Sequence, residues 1–151
     1  MSRETFMSMD FVADLGARGL VQQATSPELG REMLAAPFVL YCGFDPTADT
    51  LHIGNLVPLL ALARAQRAGH TPIAIVGGAT GMIGDPSGKS EERNLLDADT
   101  LARNLAGIRR DLENLLDFSA PKNPARILNN ADWIGAVSLI EFLRDIGKNF
   151  T

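Results

Sequence analysis

The stretch Tyr41-Cys-Gly-Phe-Asp-Pro-Thr-Ala-Asp-Thr-Leu-His-Ile-Gly-Asn55 joins an apolar run to a helical one. Upstream of the junction, Phe38-Val-Leu-Tyr-Cys-Gly43 has the length and composition of a strand and is stopped by Gly43 and Asp45-Pro46. Its unbroken apolar character predicts burial on both faces. Downstream, a loop passes through Asp49 and Thr50. Leu56, Leu59, Leu60, Leu62 and Ala63 then recur at helical spacing between Ile53 and Ala68, with Gly69 as the stop. Thr71-Pro-Ile-Ala-Ile-Val-Gly-Gly78 follows as a second strand. A strand, helix, strand unit with such short connections predicts a parallel pair, right-handed crossover and an α/β sheet.

Working outward, Phe11, Val12, Leu15 and Leu20 are spaced as one face of a helix, and the segment from Thr25 to Gly30 offers a cap and a second short helix. Gly77 to Asn94 is rich in glycine and charge without periodicity, which predicts a binding loop or flap. From Asp97 to about Asp117 a helix is predicted, with Leu101, Leu105, Ile108, Leu112 and Leu115 inward and Arg103, Arg109, Arg110 and Glu113 left largely for solvent. Pro121 and Pro124 punctuate the next loop. Ala125 to Leu128 reads as a third strand, and Ser138 to Phe150 as a last helix with a Ser138/Glu141 capping box. Three strands are fewer than an α/β sheet usually has, so the sheet is expected to be incomplete at its C-terminal end.

A chain of 151 residues with 46% hydrophobic content suffices for one core, and a net charge of −4 gives no general basic footprint for nucleic acid. The single cysteine, Cys42, excludes an internal disulfide and fits a reducing cytoplasm. The opening residues carry no export signal. The apolar run around Leu56 to Ala63 is broken by Pro58 and is far too short to span a membrane.

At the carboxyl end of the first strand, unpaired N–H groups at the helix start favour anions. Gly43 and Gly54 admit a ligand close to the backbone, and Thr47 and His52 add donors for phosphate oxygens. Pattern alone leaves His52 open between a cap or packed surface residue and a catalytic group. Tyr41 in an apolar strand reads by default as core, and Cys42 as a small buried hydrophobe. Gly88-Lys89-Ser90 does not make a Walker loop, because Ile83 stands where its first glycine belongs. Gly77 to Gly81 lacks the dinucleotide-site spacing.

The words Pro46-Thr-Ala-Asp-Thr-Leu-His52-Ile-Gly-Asn55, Val76 to Arg93 and Asn129-Asn-Ala-Asp-Trp-Ile-Gly135 together resemble the bacterial-type tyrosyl-tRNA synthetases. The first of these words is similar to the HIGH signature of class I synthetases. The resemblance implies a Rossmann-like nucleotide-binding parallel sheet with flanking helices. Residues 1–37 would be a helical lead-in and 38–151 the first part of the catalytic domain, without its second half, its KMSKS loop and its tRNA-binding domain. It implies that Tyr41 and Asp85 bind L-tyrosine. Cys42, Gly43, Asp45, Gly54 and Asn55 would border ATP, and Thr47, His52, Lys89 and Arg93 would act on the triphosphate. ATP would bring Mg2+ with it, no metal being held by the protein itself. The partners implied are tRNA(Tyr), through regions mostly outside this chain, and a second subunit, with 133–150 either at that interface or an ordinary core helix. Tryptophanyl enzymes are the nearest relatives by signature, and the wording around Asp85 favours tyrosine. A synthetase-derived binding or dimerisation fragment without catalysis is the alternative from another class. Two positions depart from the pattern: Asn55 stands where the signature has histidine, its amide donating from nearly the same place, and Pro58 enters the first helix, read as a position where a missing N–H bonds nothing.

Overall fold

The computed structural model describes residues 9–83 and 97–150. Strands β1 (Val39–Phe44), β2 (Thr71–Val76) and β3 (Arg126–Asn129) form one parallel sheet in the order β1-β2-β3. Tyr41 stands beside Ile73, which stands beside Arg126. Phe44, Val76 and Asn129 share the last row.

Seven helices are described: α1 (Phe11–Ala17), α2 (Leu29–Ala35), α3 (Ile53–Arg67), α4 (Gly78–Ile83), α5 (Ala98–Glu113), α6 (Ala131–Ile134) and α7 (Leu139–Asp145), followed by a 3-10 turn, Gly147–Asn149. Two successive crossovers of one hand, running in one direction along a sheet, lay their helices on the same face. Accordingly Phe44, Ala74 and Val76 share a core with Leu59, Leu62 and Ala63 of α3 and with Ile108 and Leu112 of α5. The opposite face is open, and β1 alternates instead of being buried on both sides: Tyr41 is 72% exposed and Val39 is exposed, while Phe44 is buried. The expectation of two-sided burial therefore fails, because an apolar run reports what a strand can bury and not how many layers cover it.

The lead-in helices pack onto α3 and β1 through Phe11, Met33 and Ala65, with Leu40 shared between the two cores. Arg64 of α3 holds Asp14 of α1 at 2.6 and 3.2 Å, and this guanidinium, with a smaller part from Arg18, keeps the Asp14 carboxyl below its ordinary range.

Several boundaries differ from the sequence reading. Gly78–Ile83 is helical although it was expected to be loop. The Asn130 side chain, 51 positions away, accepts the Ala79 N–H at 2.7 Å and so caps the helix from another element. Strand β3 begins at Arg126, because the Ala125 N–H turns back to Asp117 O at 2.9 Å. Helix α5 stops at Glu113, and Leu115 and Leu116 both donate to Leu112 O, tightening the last turn. Leu116, 4% exposed, consequently enters the core, whereas Leu115 is 37% exposed. The last helix breaks into α7 and the 3-10 turn and, among the described residues, joins neither core. Trp133, Leu139, Ile140, Phe142, Leu143 and Ile146 are all exposed, so within the described residues this segment presents an apolar surface. Pro58 is the sixth residue of α3, beyond the four donors that a helix start leaves unpaired, so its missing N–H does withhold a bond from the Gly54 carbonyl.

Two predictions follow from this packing. Leu116→Ala should cost about 2–4 kcal/mol of stability and Leu115→Ala under about 1 kcal/mol, read by urea unfolding. His70 is 3% exposed, its Nδ1 accepts the Phe38 N–H at 3.2 Å, and its ring meets the edges of Phe11 and Phe38. Burial pushes its pKa below the ordinary 6.5. As pH falls through that value the unfolded chain binds the proton first, so stability is present above it and is lost as pH falls toward the folded value. The thermal midpoint should drop between about pH 7.5 and 5.5, and drop less in His70→Gln; equal slopes would sink this assignment.

Candidate active site

The carboxyl ends of parallel strands, where loops leave the sheet, are where α/β folds place ligands. Here three such ends meet. The Gly77 N–H donates to Phe44 O at 3.0 Å and the Asn130 N–H to Val76 O at 3.1 Å, so the chain after β2 and after β3 continues the pairing one residue past the strand.

Glycine is required where they converge. A Cβ on Gly77 would stand 2.6 Å from Thr80 Oγ1 and 2.9 Å from Asp45 Oδ1, and one on Gly78 would overlap the Asn129 amide. Asn130, buried, donates its Nδ2 to Thr80 Oγ1 at 3.0 Å while its Oδ1 caps α4.

His52 is the N-cap of α3, and the cap is reciprocal. Its Nδ1 accepts the Gly54 N–H at 3.0 Å, and Asn55 Oδ1 accepts the His52 N–H at 3.2 Å. The cap reading of His52 therefore holds, and it occupies one ring nitrogen, Nδ1. With Nδ1 as acceptor, the neutral ring carries its proton on Nε2. The donors expected to be unpaired at this helix start are largely taken, because the Asn55 N–H also turns to His52 O at 2.9 Å. What the helix start offers an anion is its dipole and the exposed imidazole. Gly54 is needed for the cap itself, as a Cβ there would lie 2.8 Å from the His52 ring. Asn55 spends its oxygen on the cap, which leaves its NH2 as the donor.

Tyr41, Gly43, Asp45, Thr47 and His52 are all exposed around this strand end, with the Thr47 N–H on Asp45 O at 2.9 Å. Around Gly43 there is open space. Cys42 faces the other side of β1 from Tyr41 and is half-buried against the core; burial raises its thiol pKa, and the thiol donates to the Gly43 carbonyl at 3.6 Å. Asp85, Lys89 and Arg93 lie outside the described residues. Among the described residues no group of three His, Cys, Asp or Glu side chains is placed to hold a metal ion, and no helix is long and apolar enough to cross a membrane.

The sequence reading missed what lies beneath the loop 45–52. Asn104 Nδ2 of α5 donates to Pro46 O at 2.9 Å, and Asp111 Oδ2 accepts the Leu51 N–H at 2.8 Å. Between them, a Cβ on Gly107 would overlap the Asp49 carbonyl. Positions 104, 107 and 111 lie on one helix face. The legible signal was two short polar residues and a mid-helix glycine at that spacing beside the apolar stripe.

A tyrosine–tRNA ligase of Opitutus terrae is 55% identical over 144 residues, 95% of this chain and 34% of the relative. One of Bacillus caldotenax is 56% identical over the same shares. The chain therefore spans about a third of the length of these curated relatives. In solved structures, a C-terminally truncated Aspergillus nidulans mitochondrial tyrosyl-tRNA synthetase superposes with a TM-score of 0.79 at 26% identity, over 95% of this chain and 43% of that one. Residues 33–151 match the family model of class I tRNA synthetases (W and Y). With that match over most of its length, on a parallel sheet whose strand ends carry the signature, the chain belongs to the class I (W and Y) tRNA synthetases.

Proposed function

We propose that this chain is the amino-terminal, active-site-bearing part of a tyrosine–tRNA ligase, which joins L-tyrosine to ATP as tyrosyl-adenylate and passes it to tRNA(Tyr). The observation that carries the reading is Tyr41: a phenol 72% exposed on an open sheet face, on the strand that leads to the His52 cap, in a chain more than half identical to proteins named tyrosine–tRNA ligase. In this division residues 1–37 are the lead-in and 38–151 the first part of the catalytic domain.

In activation, a carboxylate oxygen of tyrosine forms a bond to the α-phosphorus as the bond to the β-phosphate oxygen breaks and pyrophosphate leaves. No side-chain nucleophile is needed. The barrier falls through positioning and stabilisation of charge developing on the leaving group. Tyr41 hydrogen-bonds the substrate phenol and Asp85 pairs with its α-ammonium group. Once substrate covers it, an OH partner is taken out of water, and phenylalanine is rejected because its binding leaves that partner unsatisfied. Thr47 and the Nε2–H of His52 bond the γ-phosphate, with Gly43, Asp45, Gly54 and Asn55 bordering the nucleotide and Cys42 its ribose. Lys89 and Arg93 neutralise the departing pyrophosphate, and Mg2+ enters with ATP. The enzyme works in the cytoplasm as a homodimer, a partner covering the apolar surface of 133–150.

Because the chain spans about a third of its relatives, the activity is proposed for the full-length protein. Residues 1–151 alone should give no tyrosine-dependent ATP–pyrophosphate exchange. Robust exchange by this piece would contradict the division of labour.

In the full-length protein, His52→Ala should slow adenylate formation by about 100-fold or more with tyrosine affinity little changed. Tyr41→Phe should instead weaken tyrosine binding and cut discrimination against phenylalanine by about tenfold, as for one lost neutral hydrogen bond. Pre-steady-state kinetics separate the two effects, and unaltered discrimination in Tyr41→Phe would overturn its role.

A further inference from the structure

The polar face of α5 reaches the loop 45–52 at three points, and each has a definite relation to the residues proposed to hold phosphate. Asn104 fixes the carbonyl of Pro46, the residue immediately before Thr47. Asp111 fixes the N–H of Leu51, the residue immediately before His52. Gly107 lets the Asp49 carbonyl lie directly on the helix between them. Pro46 is fully buried and Asn104 is buried, so the first of these bonds is shielded from water. A carbonyl held in place fixes the peptide plane shared with the next residue, so the Pro46 bond sets how Thr47 leaves the backbone; an N–H held in place fixes the plane shared with the residue before it, so the Leu51 bond anchors the Thr50–Leu51 peptide, one residue ahead of His52.

We propose that Asn104, Gly107 and Asp111 are positioning residues for the activation step. They hold the loop 45–52 at three points on a rigid helix, so that Thr47 and His52 address the triphosphate together rather than independently. The proposal rests on the synthetase reading above and deepens it. None of the three touches substrate. Their action is on geometry, where a displacement on the order of 1 Å at the reacting centre costs up to about 100-fold in rate. Asp111 is half-buried and lies off the Leu101, Ile108, Leu112 stripe, so its truncation leaves the core contacts in place. The Arg109 guanidinium, on an exposed part of the same helix and paired with Glu113 at 2.9 Å, provides a control.

The test is single-turnover formation of tyrosyl-adenylate by the full-length enzyme carrying Asp111→Ala, Asp111→Asn, Asn104→Ser, Gly107→Ala or Arg109→Ala, with thermal unfolding measured on each. The first, third and fourth variants should slow the chemical step by about tenfold or more while KM for tyrosine stays within about twofold of wild type. Asp111→Asn, whose amide oxygen still accepts the Leu51 N–H, should recover most of the rate. Arg109→Ala should match wild type. A folded Asp111→Ala or Asn104→Ser enzyme with wild-type rate would overturn the proposal. So would an Asp111→Asn enzyme as slow as Asp111→Ala, since the hydrogen bond would then not be what matters. Failure of both Asp111→Ala and Asn104→Ser to fold would assign the helix face to stability alone and overturn it as well. A full-length wild type without tyrosine-dependent exchange would overturn the synthetase reading itself, and the positioning role with it.

Discussion

Parallel pairing in the order β1-β2-β3 is the constraint on which the other features depend. Parallel strands require crossovers, and crossovers of one hand running one way deposit α3 and α5 on the same side of the sheet. That side becomes the core of Phe44, Leu59, Ile108 and Leu112. The other side keeps Val39, Tyr41 and Leu128 in the open. The same arrangement brings all three strand ends, with the loops that leave them, to one edge. The site is thus a consequence of topology before any particular side chain is considered.

At that edge local and tertiary interactions divide the work. The His52 and Asn55 side chains close the start of α3 on themselves, which removes backbone donors from the site and turns the imidazole into a single outward donor. The loop before it has no regular structure, yet it rests on α5 at Pro46, Asp49 and Leu51. Asn130 does the same for α4 by capping it across the chain. Glycines 77, 78 and 107 mark the places where two backbones, or a backbone and a side chain, come closer than a Cβ allows. An exposed ligand site with a mobile base would need binding energy to order it. This one is held by buried or half-buried hydrogen bonds beforehand.

Much of this was legible in the chain. The apolar runs at 39–44 and 71–76, the Gly69 stop, the helix start at Asp97, the Ser138 cap and the helical spacing of α3 and α5 are local signals, and local hydrogen bonding and side-chain period suffice to set them. The failures share a cause. The helix at 78–83 depends on Asn130, and the inward turn of Leu116 depends on where α5 meets the core. The outward face of β1 depends on how many layers the sheet has. Each is decided by a partner distant in sequence, about which periodicity carries no information.

The sequence by itself determined the element types and the parallel α/β class. It also set the strand-to-helix junction at 41–55, because propensity, capping and glycine punctuation act over a few residues. Only the tertiary structure decided that Tyr41 faces outward and Cys42 inward, that α4 is capped by Asn130, and that α5 underlies the loop. Those outcomes depend on which surfaces meet, and contacts between residues 50 or more positions apart are settled by packing rather than by local preference.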